Sequence, residues 1–313
     1  MTQYVARRLL ILPIVLLGVS ILVFMVIHLV PGNPAQVIAG ADAPPETVEA
    51  IEKDLGLDRP LPEQYLHYLG RVLRGDLGTS LRSHRPVLDE VLDALPKTLE
   101  LAVAAAIITP LIAIPLGVAA AAKRGTPVDT GLMLISMLGI TLPVFAIGLG
   151  LMWIFGYRFE LLPISGAGGP IWTIDGLRSM VLPALTLAVG SVATMARLTR
   201  SAMLEVLSQD FVRVARAKGL QERKVLLLHA LPNAFLPIVT VLGMQFAYLL
   251  SGAVVTETIF AIPGVGRLAV YAIQARDFPV VQGVVLMTSL VFVLVNLLVD
   301  LLYAVIDPRI QYE

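Results

Sequence analysis

Residues 210–234 read Asp210-Phe211-Val212-Arg213-Val214-Ala215-Arg216-Ala217-Lys218-Gly219-Leu220, then Gln221 to Leu228, then His229-Ala230-Leu231-Pro232-Asn233-Ala234. This basic stretch separates two long apolar runs, Val181 to Leu198 and Phe235 to Thr256. Asp210 stands where a side-chain oxygen accepts the free amides of a helix start, and Gly219 where a left-handed residue ends one. The spacing therefore predicts a helix of about two turns. It is expected to display Phe211, Val214 and Ala215 beside Arg213, Arg216 and Lys218, which suits a partner's groove or lipid headgroups. From Arg197 to Leu231 there are seven basic residues (Arg197, Arg200, Arg213, Arg216, Lys218, Arg223, Lys224) against Glu205, Asp210 and Glu222. The 313-residue chain as a whole balances 23 basic with 23 acidic residues, so no general attraction to nucleic acid is expected.

Working outward, the composition excludes a water-soluble globule: 57% of residues are hydrophobic and 15% charged, with a mean hydropathy of +0.83. Runs near 20 apolar residues cross the hydrocarbon layer as helices. Six qualify: Leu9 to Val30, Leu99 to Ala122, Leu132 to Phe155, Val181 to Leu198, Phe235 to Thr256 and Val280 to Ile306. The first follows Arg7 and Arg8 as a signal peptide's core would, yet it is too long for one and no small-x-small site follows, so a retained anchor is expected. Arg7 and Arg8, Lys123 and Arg124, the Arg197 to Leu231 segment and Arg309 all fall on one side, which the positive-inside tendency makes cytoplasmic. Both termini are then expected in the cytoplasm.

The expected organisation is residues 1–30 as N-terminus and first span, 31–97 as an external helical segment, and 98–313 as a membrane core carrying the short cytoplasmic helix near 210–220. In the external segment, Pro45 opens a stretch with Val48, Ile51 and Leu55 at helical spacing before Gly56, and Pro62 opens another with Leu66, Leu69 and Leu73. Pro170, Trp172 and Gly176 are read as one outer loop and Pro263, Gly264 and Gly266 as another. Pro110, Pro115, Pro143 and Pro237 are expected to interrupt spans and free backbone carbonyls.

Several chemistries lack their residues. None of the five lysines, Lys53, Lys97, Lys123, Lys218 and Lys224, follows a glycine, so no phosphate-cradling Gly-Lys-Ser/Thr turn is present. His28, His67, His84 and His229 form no i, i+4 pair, and there is no cysteine for thiolate ligation or disulfides. A non-catalytic membrane bundle remains, with transport as its leading role.

The cytoplasmic segment resembles the inner-membrane permeases of ATP-binding-cassette (ABC) importers, whose signature is Glu-Ala-Ala, three residues, Gly, nine residues, Ile-x-Leu-Pro. Gly219 falls on the signature glycine, Leu220 to Leu228 supply the nine residues, and Leu231-Pro232 the final pair, with His229 in place of isoleucine. Arg213 and Val214 replace Glu-Ala, while Ala215 remains; these departures are typical of the peptide and nickel branch. The rest of the chain resembles that branch too, in Tyr4-Val5-Ala6-Arg7-Arg8, Pro31-Gly32-Asn33-Pro34, Gly75-Asp76-Leu77-Gly78, Thr98-Leu99-Glu100-Leu101, Arg197-Leu198-Thr199-Arg200-Ser201, Thr256-Glu257-Thr258-Ile259-Phe260 and Asn296 to Tyr303 ending in Asp307-Pro308-Arg309. The resemblance implies an all-α membrane protein with the six-helix type I importer permease fold. It implies a second homologous permease subunit, two cytoplasmic ATP-binding subunits that hold ATP and Mg, and an external solute-binding protein. No cofactor is implied for this chain itself. Asp210, Arg213, Val214, Ala215, Arg216, Lys218, Gly219 and Leu220 would form the helix that couples to an ATPase. The implied cargo is a di- or oligopeptide, with a nickel chelate or a glutathione-like peptide as the alternative.

Polar residues inside spans are costly and invite explanation. Asn296 and Asp300 stand four apart on one face of the last span, and a proton relay through Asp300 would make the chain an ion-coupled carrier instead. A structural hydrogen bond is the plainer reading of the pair. Glu257, at the outer end of the fifth span, is either a structural pair or part of an outer gate. Gly243, Ala247 and Ser251 repeat at four-residue spacing and allow close helix approach, within this subunit or at the seam with another.

Overall fold

The computed structural model describes residues 2–29, 35–36, 43–56, 59–166 and 168–306. Pro31-Gly32-Asn33-Pro34 and Asp307-Pro308-Arg309 lie outside them. The chain divides into two compact units, Met1–Pro96 with Gly264–Glu313, and Lys97–Pro263.

In the first unit α1 spans Thr2–Leu29, α2 Pro45–Leu55 and α3 Leu61–Leu73. Prolines 44, 45, 60 and 62 sit at the starts of α2 and α3, where a missing N–H costs nothing. The start of α4 (Val87–Ala122), then α10 (Val265–Ala275) and α11 (Phe278–Ile306), complete the unit. The core there joins Val87, Val91 and Ala94 to Val265, Ala272, Val280 and Val284. Phe24 of α1 meets Tyr65 of α3 edge-on with centroids 5.5 Å apart, His28 bonds the Gln64 side-chain oxygen at 2.9 Å, and Gln282 donates to the Val23 carbonyl at 2.9 Å.

In the second unit α4 continues to Ala122, followed by α5 (Pro127–Thr141), α6 (Val144–Leu151) with a π-helical extension Met152–Arg158, and α7 (Ile174–Leu207). After α8 (Asp210–Ala217), a helical turn Glu222–Lys224 and a π-helical stretch Val225–Ala230 lead into α9 (Leu231–Ile259). The long, largely buried α7 is the centre of this unit. Its Met180, Leu182, Ala184, Leu187 and Ala188 pack with Leu101, Leu249, Ala253 and Phe260.

Among the described residues α4, α7 and residues 278–299 of α11 are apolar and long enough to cross a membrane. Two bent pairs pass the same test together, and residues 11–25 of α1 form a shorter apolar stretch. The third run differs from its expected single helix, because α5 and α6 meet at 109°. Leu142 is extended at φ −74°, ψ 135° and Pro143 caps α6, since a proline both lacks the N–H and forces its predecessor out of helical conformation. Pro110 and Pro115, by contrast, do not break α4, which runs on as a helix through both. Each outer-loop reading is corrected at one residue, while Pro170, Trp172, Pro263 and Gly264 lie between helices. Gly176 lies in the first turn of α7, its amide donating to Thr173 Oγ1 at 3.1 Å, and Gly266 lies inside α10.

Candidate coupling site

Helix α8 sits between the end of α7 and the turn that leads into α9. Its N-cap is Gln209, with no side-chain cap hydrogen bond; Asp210 is instead the first helical residue and pairs with Arg213 Nη2 at 2.9 Å. That corrects the capping role expected of Asp210, although a carboxylate in the first turn still complements the helix dipole. At the other end the Lys218 amide donates to Val214 O at 3.0 Å and the Gly219 amide to Arg216 O at 2.9 Å. Gly219 has φ +79°, with open space where a Cβ would stand, so backbone conformation alone demands glycine there. Leu220 follows, exposed.

The faces of α8 sort differently from the sequence expectation. Val212 and Ala215, three apart, are buried against Val118 and Ala121 of α4, Ala202, Met203 and Val206 of α7, and Val225, Ala230 and Ala234. Ala215 is therefore part of the seat and not of the displayed surface. Phe211 is 38% exposed and Val214 53%, with Asp210, Arg213 and Lys218 beside them in solvent. Arg216 is bound by Glu222, which the sequence shows only as part of the local charge balance: its Nη2 donates to Glu222 Oε1 at 2.6 Å and its Nε to Glu222 Oε2 at 3.1 Å. This bidentate bond holds the guanidinium above its ordinary titration range and ties α8 to the next turn.

The seat itself is rigidly made. A Cβ on Gly117 of α4 would lie 2.5 Å from Thr199 Cβ and 2.6 Å from Ala196 O, so the glycine permits α4 and α7 to cross in backbone contact. One position further along α7, Arg200 donates from Nε and Nη2 to Asp129 Oδ1 and Oδ2 at 2.6 and 2.7 Å, joining α7 to α5, while the Gly125 amide donates to Asp129 at 3.0 Å. α8 therefore rides on a block of α4, α5 and α7. Hydrophobic spacing at 212 and 215 contained the anchor signal. The Asp129–Arg200 and Arg216–Glu222 pairs carried none, since each joins separate elements.

The other singled-out residues lie elsewhere. Leu231 and Pro232 form the first turn of α9, where a proline is tolerated, and Leu231 packs onto the α8 seat. Glu257 is fully buried and accepts a hydrogen bond from Thr98 Oγ1 at 2.7 Å. Asn296 donates to Phe292 O of its own helix at 2.9 Å. The side chains of Asp300, Ala247 and Ser251 lie outside the described residues.

Known proteins match this chain along its length. Residues 113–312 match the family model described as "Binding-protein-dependent transport system inner membrane component", and residues 1–102 match the N-terminal component of the same systems. The dipeptide transport system permease protein DppB of Escherichia coli (strain K12) is 42% identical over 339 aligned positions, covering 100% of both chains. The glutathione transport system permease protein GsiC of Salmonella typhimurium is 44% identical over 313, again covering 100% of both. Among solved structures, the inward-facing MetNI methionine ABC transporter gives a TM-score of 0.55 at 16% identity, covering 69% of this chain and 96% of that one. That likeness concerns fold alone.

Proposed function

Because the chain belongs to the family of binding-protein-dependent transport system inner-membrane components, we propose that it is the permease subunit of an ABC importer that carries di- or oligopeptides across the cytoplasmic membrane. The full-length identity with dipeptide and glutathione permeases carries this reading. A second permease subunit, two ATPases that hold ATP and Mg, and an external solute-binding protein complete the system. Both termini face the cytoplasm, in keeping with Arg7, Arg8 and Arg309. Glutathione, a tripeptide with a γ-linkage, stands as a second cargo because a glutathione permease aligns across all of both chains.

α8 is the coupling helix in this reading. Phe211 and Val214 enter a groove on the ATPase while Asp210, Arg213 and Lys218 border it. Closure of the ATPases on ATP then displaces α8, and the block of α4, α5 and α7 moves with it because Val212 and Ala215 are buried in that block. Reconstituted with its partners in liposomes, the chain should import labelled dipeptide only with ATP inside the ATPase-bearing compartment. Reversing Arg213 and Arg216 to glutamate should release the ATPases from the purified complex while the bundle stays inserted. Uptake that persists without any ATPase, or driven by a proton gradient alone, would overturn the proposal.

A further inference from the structure

Beside the seat of α8 lies an open apolar groove of about 540 Å³. Ile114, Val118 and Ala122 of α4 form one wall; Leu226, Leu227 and Leu231 form the other. From Ile114 to Ala122 the wall rises about 12 Å at the α-helical 1.5 Å per residue. The two walls run in opposite chain directions, which sorts the groove's ends by chemistry. At one end Ile114 and Leu231 both pack onto the apolar cluster of Ala113, Met195, Ala196 and Ile238. At the other, Ala122 is followed directly by Lys123 and Arg124, and the opposite wall begins at Arg223, with Lys224 next.

The carboxylates at that end are already engaged: Asp129, which lies close enough to feel Arg124, takes two hydrogen bonds from Arg200. Glu222 lines the groove, and Arg216 neutralises it through two hydrogen bonds. Among the described residues, none of Lys123, Arg124, Arg223 and Lys224 forms an ion pair with a carboxylate. A groove about 12 Å long, apolar along its walls, is lined at one end by Arg223, with the exposed Lys123, Arg124 and Lys224 adjoining lining residues in the chain; at the end of α4 that the proposed topology makes cytoplasmic, this complements one kind of molecule. We infer that it binds an anionic phospholipid of the cytoplasmic leaflet, with an acyl chain along α4 and the phosphate among these four cations. Val118 and Leu226 belong both to the groove and to the packing around the α8 seat, so the bound lipid props the coupling segment from the membrane side.

Lipid binding is testable without ATP, so it does not fail with the coupling reading. The full chain, reconstituted in nanodiscs with its co-purifying subunits, is exposed to phosphatidylglycerol bearing a photoreactive group on its acyl chain, and in parallel to the matching phosphatidylcholine. Mass spectrometry of the crosslinked peptides should place the phosphatidylglycerol label on residues 114–122 and 226–231 in preference to phosphatidylcholine. Arg223→Ala with Lys224→Ala should lower that labelling by roughly fivefold per cation removed. Ala119→Trp, which fills the groove and leaves the cations in place, should abolish it while labelling elsewhere on the bundle persists. Equal labelling by the two lipids, indifference to both variants, or capture of another protein subunit in the groove would overturn the assignment.

Discussion

Two polar segments of this protein are fastened by opposite means. The turn at residues 76–86 is held by one buried carboxylate from far along the chain: Asp277, 2% exposed, accepts Ser80 Oγ at 2.6 Å and the Leu81 amide at 3.0 Å. The α8 segment is held by two small apolar side chains and by exposed or half-exposed ion pairs. A carboxylate satisfied by buried donors locks a backbone to one geometry, because each donor left behind would be stranded without water. An apolar seat holds by packing alone and sets no hydrogen-bond geometry. The first arrangement fixes a backbone shape, and the second fixes a contact between helices, as the lever proposed for α8 requires.

Removing the lock should have the largest effect. Asp277→Ala strands the Ser80 hydroxyl and the Leu81 amide in a buried site, at a cost of about 3 kcal/mol. Thermal unfolding of the purified chain followed by circular dichroism should show a clear drop in midpoint, with Asp277→Asn recovering part of it by restoring an acceptor. If Asp277→Ala unfolds like the parent, the turn is held by something else and the contrast disappears.

The seat of α8 comes next. Val212→Ala removes about two methylene equivalents from a fully buried position, about 1.5 kcal/mol. Since that loss falls on the seat alone, peptide taken up per ATP hydrolysed should fall more than the unfolding midpoint does. Equal losses in both would mean that α8 is a static part of the core. Substituting the exposed Arg213 should leave the midpoint unchanged.

The contrast also explains what the sequence could reveal. α8 was legible because its signals are local: apolar spacing at 211, 212, 214 and 215, and a glycine at 219 whose φ is +79°. The face assignment failed for Ala215, since alanine fits a buried or an exposed position and only the neighbours from α4 and α7 decide. Asp277 and Ser80 are 197 positions apart, Thr98 and Glu257 159, Asp129 and Arg200 71. No periodicity links such partners, because each pairing is created by helix packing. α10 was missed for a related reason. It is 11 residues long and opens at Val265 immediately after Pro263-Gly264, a signal that reads as a turn until burial of Val265 and Ala272 supplies the reason for a helix.

The smallest effect separates burial from mere ionic pairing within the turn itself. Asp76 accepts Arg71 Nε at 2.7 Å and the Gly78 amide at 2.9 Å, yet its side chain is 53% exposed. The Arg71 hydrogen bond, and after it the Gly78 amide, holds the carboxyl below its ordinary value of 3.8 despite some desolvation. A carboxyl whose folded pKa is depressed contributes stability above its unfolded pKa and loses it as pH falls through the folded one. The unfolding midpoint should therefore owe nothing to this group's titration between pH 7 and 5, and should lose its contribution only below about pH 4. Solvent screening limits the amount to under about 1 kcal/mol. Asp76→Asn should remove that acid-side component and lower the neutral-pH midpoint only slightly, far less than Asp277→Ala. A loss as large as that of Asp277→Ala would show that exposed ion pairing, and not burial, is what fastens the turn.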